Sequence, residues 1–415
     1  MNNRLDCILI ATLAICYADG VKASPSYEVI HLFGAVPSPV EPAAWPIVST
    51  SGDLFGTSFA GGAQDQGSVY QATAPGKSGK QWRTRAVFSF PNARKRGRGP
   101  QAALVEGPGG TLYGATPEGG ADGSGVIFAV APPVNGATRW TETVLHTFSG
   151  GDDGAQPFAE PVIGPDGALY GTTRYGGAGG QGFGTVYRLA VGQDGSVAYS
   201  VIYRFPSNGT VAGSQPVAPV TFDSAGNIYG STFLGGPALQ GVVFRLSPQK
   251  NGAYREDVLF DFPTLSDGIF PQSPVTFDAS GNLYGTTSAG GAGGGVVYRL
   301  TPPGNGNGPW SESVLHSLAM NEGSDPARAP VLIDKQGNLW GTAEGGGAAN
   351  LGAVWMYAPA EGNGSATFTV VHSFSGGADG ANPQGLALAG DGTLYGATAM
   401  DGGPSGSGTL FQVTP

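Results

Sequence analysis

One tripeptide, Leu-aromatic-Gly, recurs seven times along the chain, once with Ile for Leu. The copies are Leu54-Phe55-Gly56, Leu112-Tyr113-Gly114, Leu169-Tyr170-Gly171, Ile228-Tyr229-Gly230, Leu283-Tyr284-Gly285, Leu339-Trp340-Gly341 and Leu394-Tyr395-Gly396. Their aromatic residues are 58, 57, 59, 55, 56 and 55 positions apart. A period of this size marks a repeat architecture, in which each unit buries its apolar faces against its neighbours.

Each unit reads as four short strands. In one copy these are PVIGPDG (161–167), LYGTT (169–173), GTVYRL (184–189) and a strand of the type WTETVLHTF (140–148). A turn glycine recurs between the first two strands, from Gly52 and Gly110 through Gly392, where a hairpin needs positive φ. The glycine after the aromatic lies mid-strand, so a ring or another backbone is expected to pack closely on it. With 73 Gly and 41 aromatic residues (20 Phe, 15 Tyr, 6 Trp) but only 12% charged residues, the chain is neither helical nor disordered in character.

Four-stranded units repeated radially make an all-β, seven-bladed β-propeller. The ends predict its closure. SYEVIHLF (26–33) is a fourth-type strand with no unit before it, and GTLFQVTP (408–415) is a third-type strand with nothing after it. The N-terminal strand is therefore expected to complete the last blade and remove the open edges.

The motif LYGTT-x-x-GG followed by GTVY-x-L, clearest at 169–189 and 283–300, resembles the GloVer tandem repeat of cyanobacterial and verrucomicrobial proteins, across residues 26–415. The resemblance implies an exported bacterial propeller and carries no established activity. There is a looser likeness to kelch units in the Gly-Gly after the second strand and in Trp82, Trp140 and Trp310 before the fourth.

Residues 1–23 read as a secretory signal peptide. Arg4 precedes the apolar run CILIATLAIC (7–16), and Val21-Lys22-Ala23 resembles a cleavage site. A lipoprotein site at Cys16 fits less well beside the bulky Ile15. The propeller is then 24–415, a secreted, periplasmic or cell-surface monomer without a membrane span. Cys7 and Cys16, the two cysteines, both fall in the leader, so no disulfide is expected. The net charge of −10 argues against nucleic acid as a partner.

Gly177-Ala178-Gly179-Gly180-Gln181-Gly182 fits G-x-G-x-x-G. A dinucleotide loop needs a helix after it, whereas a strand follows here. The four histidines, His31, His146, His316 and His372, share one repeat position with Phe88, Tyr203 and Phe260. That position asks for a ring, not a metal ligand or proton carrier. No G-x-S-x-G nucleophile motif is present.

The second-to-third-strand loops and the crossovers between blades should share one face. On it, Phe59, Glu118, Arg174, Tyr175, Phe233 and Glu344 vary inside a constant frame and are candidate ligand contacts. The crossover ARKRGRG (93–99) adds a basic cluster, Arg94, Lys95 and Arg96. It suits an acidic polysaccharide or a phosphate, or is simply a solvated loop. Asp153, Asp267 and Asp379 are candidate Ca²⁺ ligands. The plainer reading, an Asp-Gly turn, is favoured because three of seven units carry it. No other cofactor is expected. The sequence thus points to a binding or scaffold protein whose partner is a polysaccharide or an extracellular protein. A polysaccharide lyase or glycosidase acting in a central pocket, or a purely structural surface protein, are the alternatives.

Overall fold

A computed structural model describes residues 24–415 apart from 36–37, 77–80, 178–181, 207–211, 305–307, 327, 361, 363 and 403–404. Residues 1–23, where the leader is expected, and the core of the G-x-G-x-x-G loop lie outside the described residues. The chain forms seven antiparallel blades. In the third, the innermost strand Val162–Ile163 pairs with Leu169–Thr173, then Thr185–Val191, then the outermost strand Val197–Arg204. The last blade consists of Ala381–Leu388, Leu394–Met400, Thr409–Thr414 and, as its outermost strand, Ser26–Leu32. Tyr27 is registered on Val413 and His31 on Leu410, so the N-terminal strand closes the ring. Among the described residues no helix is long and apolar enough to cross a membrane.

Seven apolar clusters fill the seven interfaces between neighbouring blades. Strand alternation builds them. Leu54 and Tyr70 face the last blade, while Phe55 and Val69 of the same two strands face the second. The repeat glycine has the expected cause: a Cβ on Gly171 would lie 2.5 Å from Tyr187 Cζ. The rings of Tyr70, Phe128, Phe244, Tyr298, Trp355 and Phe411 crowd the equivalent glycines.

The two threonines of the motif have separate tasks. The first reaches the next blade: Thr172 Oγ1 donates to the carbonyl of Ala218 (3.0 Å) and Thr57 Oγ1 to that of Ala102 (2.7 Å). The second folds the loop, as Thr173 Oγ1 donates to the carbonyl of Tyr175 (2.9 Å). The motif's aromatic residue also has a polar partner. Tyr170, Tyr229 and Tyr284 hydroxyls and Trp340 Nε1 donate to the turn carboxylates Asp166, Asp223, Asp278 and Asp334 at 2.8–3.1 Å.

The histidines pack between outer strands. His146 stacks on Tyr199, His316 on Phe368 and His372 on Tyr27, with centroids 3.7, 3.8 and 3.5 Å apart. His31 Nε2 meets Thr84 Oγ1 at 2.6 Å. A β-bulge immediately precedes this position in all seven blades and bends the outer strand. Its presence is not visible in the sequence spacing.

The innermost strands differ from a simple four-strand reading. In six blades the segment paired next to the turn is two residues long. Above it the pairing breaks and, in several blades, resumes: Pro39–Pro42 joins the second strand again in the first blade, and Ile269–Pro271 in the fifth. Prolines cause the break. Pro42, Pro100, Pro157, Pro216, Pro271, Pro326 and Pro383 occupy one repeat position and donate no ladder bond. The residue before each is left-handed. Six are not glycine (Glu41, Gln156, Gln215, Phe270, Asp325 and Asn382, φ 54–61°). Both proline and L-residue sterics oppose that conformation. It is held by bonds to loops, as when Gln156 N donates to Ser124 O (2.8 Å) and Arg174 N to Gln156 O (3.1 Å). The chain after each proline turns inward, toward the axis.

Candidate functional site at the propeller axis

The seven inward turns enclose a cavity of about 200 Å³. Residues 43–45, 101–103, 158–160, 217 and 219, then Gln272, Arg328 and Gln384, line it. Every blade contributes, so the cavity lies on the propeller axis. Arg174 and Phe233, from second-to-third-strand loops, also line it and place it toward that face.

Three rings form its apolar part. Trp45 lies against the last blade, where a Cβ on Gly385 would come within 2.9 Å of the indole. Phe233 packs on Phe270, centroids 4.9 Å apart. Phe158 lies under the Arg174 guanidinium, which is 5.6 Å from its centroid and 5.1 Å from that of Tyr175. These distances suit cation–π attraction.

The polar part is Gln101, Gln272, Gln384, Glu160, Arg174 and Arg328. Burial pushes the Glu160 carboxyl up to about 7. The buried Tyr187 hydroxyl is raised by desolvation and then by the charge of Glu160, which places the two groups near each other. Arg328 Nε is 3.8 Å from Glu344 Oε1. Burial pushes Glu344 up to about 7 although Arg328 pulls it down. Asp325 is also raised by burial, against the pull of Arg328. Arg174 Nε donates to Gln215 Oε1 at 3.4 Å, and among the described residues it has no carboxylate partner.

The residues expected from sequence divide into three groups. Arg174 and Phe233 enter the cavity, and Glu344 stands behind Arg328. Tyr175, 37% exposed, forms the rim above Arg174. Phe59, 42% exposed, packs on Gly99 of the first crossover instead.

Glu118 points away from the axis. Its strand Glu118–Gly119 pairs with Gly97–Arg98, and its carboxylate takes Arg98 Nε at 3.1 Å. Arg94 and Arg96 line a separate recess of about 310 Å³ together with Arg98 and Asp122, next to the exposed Lys95. Arg96 is paired with Glu142 of the second blade.

The three aspartates lie in three different crossovers. Asp153 accepts from Ser149 N (3.0 Å) and meets His146 Nε2 at 3.3 Å. Asp379 accepts from Ser375 N (2.8 Å) and meets His372 Nε2 at 2.9 Å. Asp267 accepts from Thr264 Oγ1 at 2.6 Å. Among the described residues, no cluster of three or more His, Cys, Asp or Glu is arranged to hold a metal ion.

Sequence reasoning missed Trp45, Phe158, Glu160 and Arg328. The available signal was the sevenfold proline followed by residues that vary between units, apart from Gln101, Gln272 and Gln384, which share the position after it.

No curated protein matches the chain. Among solved structures, a gluconolactonase from Xanthomonas campestris aligns with 12% identity and a TM-score of 0.42, covering 92% of this chain and 97% of that one. A protein of unknown function from Dyadobacter fermentans aligns with 11% identity and a TM-score of 0.44, over 93% and 98%. Trypanosoma rangeli sialidase aligns with 11% identity and a TM-score of 0.42, over 94% of this chain and 59% of the sialidase. At TM-scores below 0.5 these likenesses carry nothing about the site. The Gloeobacter/Verrucomicrobia repeat matches residues 21–197 and 177–411. With both matches spanning nearly the whole propeller, the chain belongs to the Gloeobacter/Verrucomicrobia repeat family.

Proposed function

We propose that this propeller is an exported carbohydrate-binding protein whose site is the axial cavity. The observation that carries the reading is the lining itself: three rings beside three glutamines and two arginines. Rings can stack on sugar faces, and each glutamine offers both donors and acceptors to hydroxyls. The size narrows the mode. At about 200 Å³ the cavity is smaller than the roughly 300–1,000 Å³ of pockets for drug-sized ligands. It suits one terminal sugar unit rather than the run of a chain. Export rests on the leader pattern, and the acidic surface fits a saccharide partner better than a nucleic acid.

A glycan array tests this with residues 24–415 and a Trp45→Ala/Phe158→Ala variant of matched thermal stability. Binding that is lost in the variant is expected. Binding that survives it moves the site off the axis.

One observation favours a hydrolytic reading. Glu160 is a carboxyl in the cavity with its pKa at about 7, where a general acid works well near neutral pH. A panel of nitrophenyl glycosides tests it: release by the wild type, abolished in Glu160→Gln, supports a glycosidase, and no release across the panel removes that reading.

A further inference from the structure

We propose that the axial site selects a saccharide terminus bearing a carboxylate, which Arg174 and Arg328 bind. This rests on the saccharide reading above and narrows it.

The charge balance of the cavity is the first argument. The chain is acidic, with 30 Asp and Glu against 20 Lys and Arg, yet the charged residues lining the cavity are two arginines and one glutamate. Arg174 is not neutralised in place, and Arg328 has only a loose ion pair with Glu344, with Asp325 also within its field. Among the described residues Arg174 has ring faces and one long bond to a neutral amide. Arg328 has Glu344 at 3.8 Å, beyond hydrogen-bond reach. The one carboxyl in the lining, Glu160, is itself buried in a setting that favours its neutral form.

Preorganisation is the second argument. Arg174 lies between Phe158 and Tyr175, and its backbone N–H is tied to the left-handed Gln156. A planar guanidinium held in this way presents a fork matched to carboxylate geometry. Gln101 and Gln272 remain for the hydroxyls of the same sugar unit, together with the Oε1 of Gln384, whose Nε2 donates to the carbonyl of Asn382 (3.0 Å). The chemistry that fits is a terminal uronic acid.

Calorimetric titration of residues 24–415 with oligogalacturonate, and with the neutral galactose oligomer of equal length, tests the inference. The same titrations are run on Arg174→Gln and Arg328→Gln at matched thermal stability. The acidic oligomer should bind at least about tenfold more tightly, as one charge-assisted contact allows, and each substitution should erase most of that preference. Equal affinity for the two oligomers, or a preference that survives both substitutions, overturns the inference and leaves the saccharide site standing. Binding of neither oligomer overturns the inference and the saccharide reading together.

Discussion

The phenol of Tyr27 lies flat on the imidazole of His372, with ring centroids 3.5 Å apart and planes within 3°. One ring comes from the first strand of the propeller and the other from its sixth blade. The Tyr27 hydroxyl also donates to the carbonyl of Asp379 (3.3 Å), and Asp379 in turn meets His372. His146, Tyr199 and Asp153 repeat the arrangement between the second and third blades. Closure of the ring therefore uses the same contact as an ordinary blade interface. Tyr27→Ala should destabilise the propeller by about 2–4 kcal/mol, in the range of large-to-small core changes. Tyr27→Phe should cost about 0.5–1.5 kcal/mol, the value of one hydrogen bond. Urea unfolding of the three proteins measures both.

The glycine of the repeat motif is fixed by a ring and not by its dihedral angle. Gly171→Ala drives a Cβ into Tyr187, so it should cost at least about 3 kcal/mol or prevent folding. Shortening the ring in Gly171→Ala/Tyr187→Val should recover part of the loss, as thermal unfolding will report. The turn glycine Gly167, with φ 77° and nothing within 4 Å of a new Cβ, should lose only the roughly 1–2 kcal/mol of left-handed strain in Gly167→Ala.

Glu160 and Glu344 set a pH dependence. Burial raises both carboxyls to about 7 in the folded protein, against an ordinary 4.5. The folded state thus holds their protons more tightly than the unfolded chain. Their stabilisation is complete below about pH 4.5 and is lost as pH rises through about 7. Glu312, raised to about 7 by burial and by Asp267, acts in the same sense. Melting temperature should fall as the pH is raised between these limits, and the fall should shrink in Glu160→Gln/Glu344→Gln.

The turn aspartates behave in the opposite way. Asp278 accepts from Ser280 N, Asn282 N, Asn282 Nδ2 and the Tyr284 hydroxyl at 2.7–3.1 Å. Partial burial works to raise its carboxyl, but these bonds prevail and hold it below its ordinary 3.8. Its stabilisation is present above about pH 3.8 and is lost as pH falls through the lower folded value. Asp278→Ala should cost about 1–3 kcal/mol at neutral pH, and less once the wild-type carboxyl is protonated. Chemical denaturation across that range checks it.

The frame was legible in the sequence because steric needs write themselves into a repeat. Gly171 under Tyr187 and the ring position of His146 are demanded at every interface, so they recur, and the hydroxyl pair of LYGTT recurs in four of the seven units. The site was half legible. Arg174 and Phe233 are recognisable as variable loop residues, but nothing in the repeat pattern marks which neighbours turn inward. Strand alternation decides that, sending Arg174 to the axis and Glu118, one place further along its own loop, toward Arg98. Trp45 and Glu160 were hidden for another reason. They follow a proline that breaks the innermost strand, and a residue in a break lacks the period-two pattern that marks a strand face.

A crystal structure of residues 24–415 with the strongest ligand from the glycan array tests the central claim most directly. The account predicts a terminal sugar unit between Trp45 and Phe158, with its polar groups on Arg174, Arg328 and the three glutamines. Ligand density on the rim at Phe59 or in the Arg94–Arg98 recess, with the axial cavity unfilled, would contradict it.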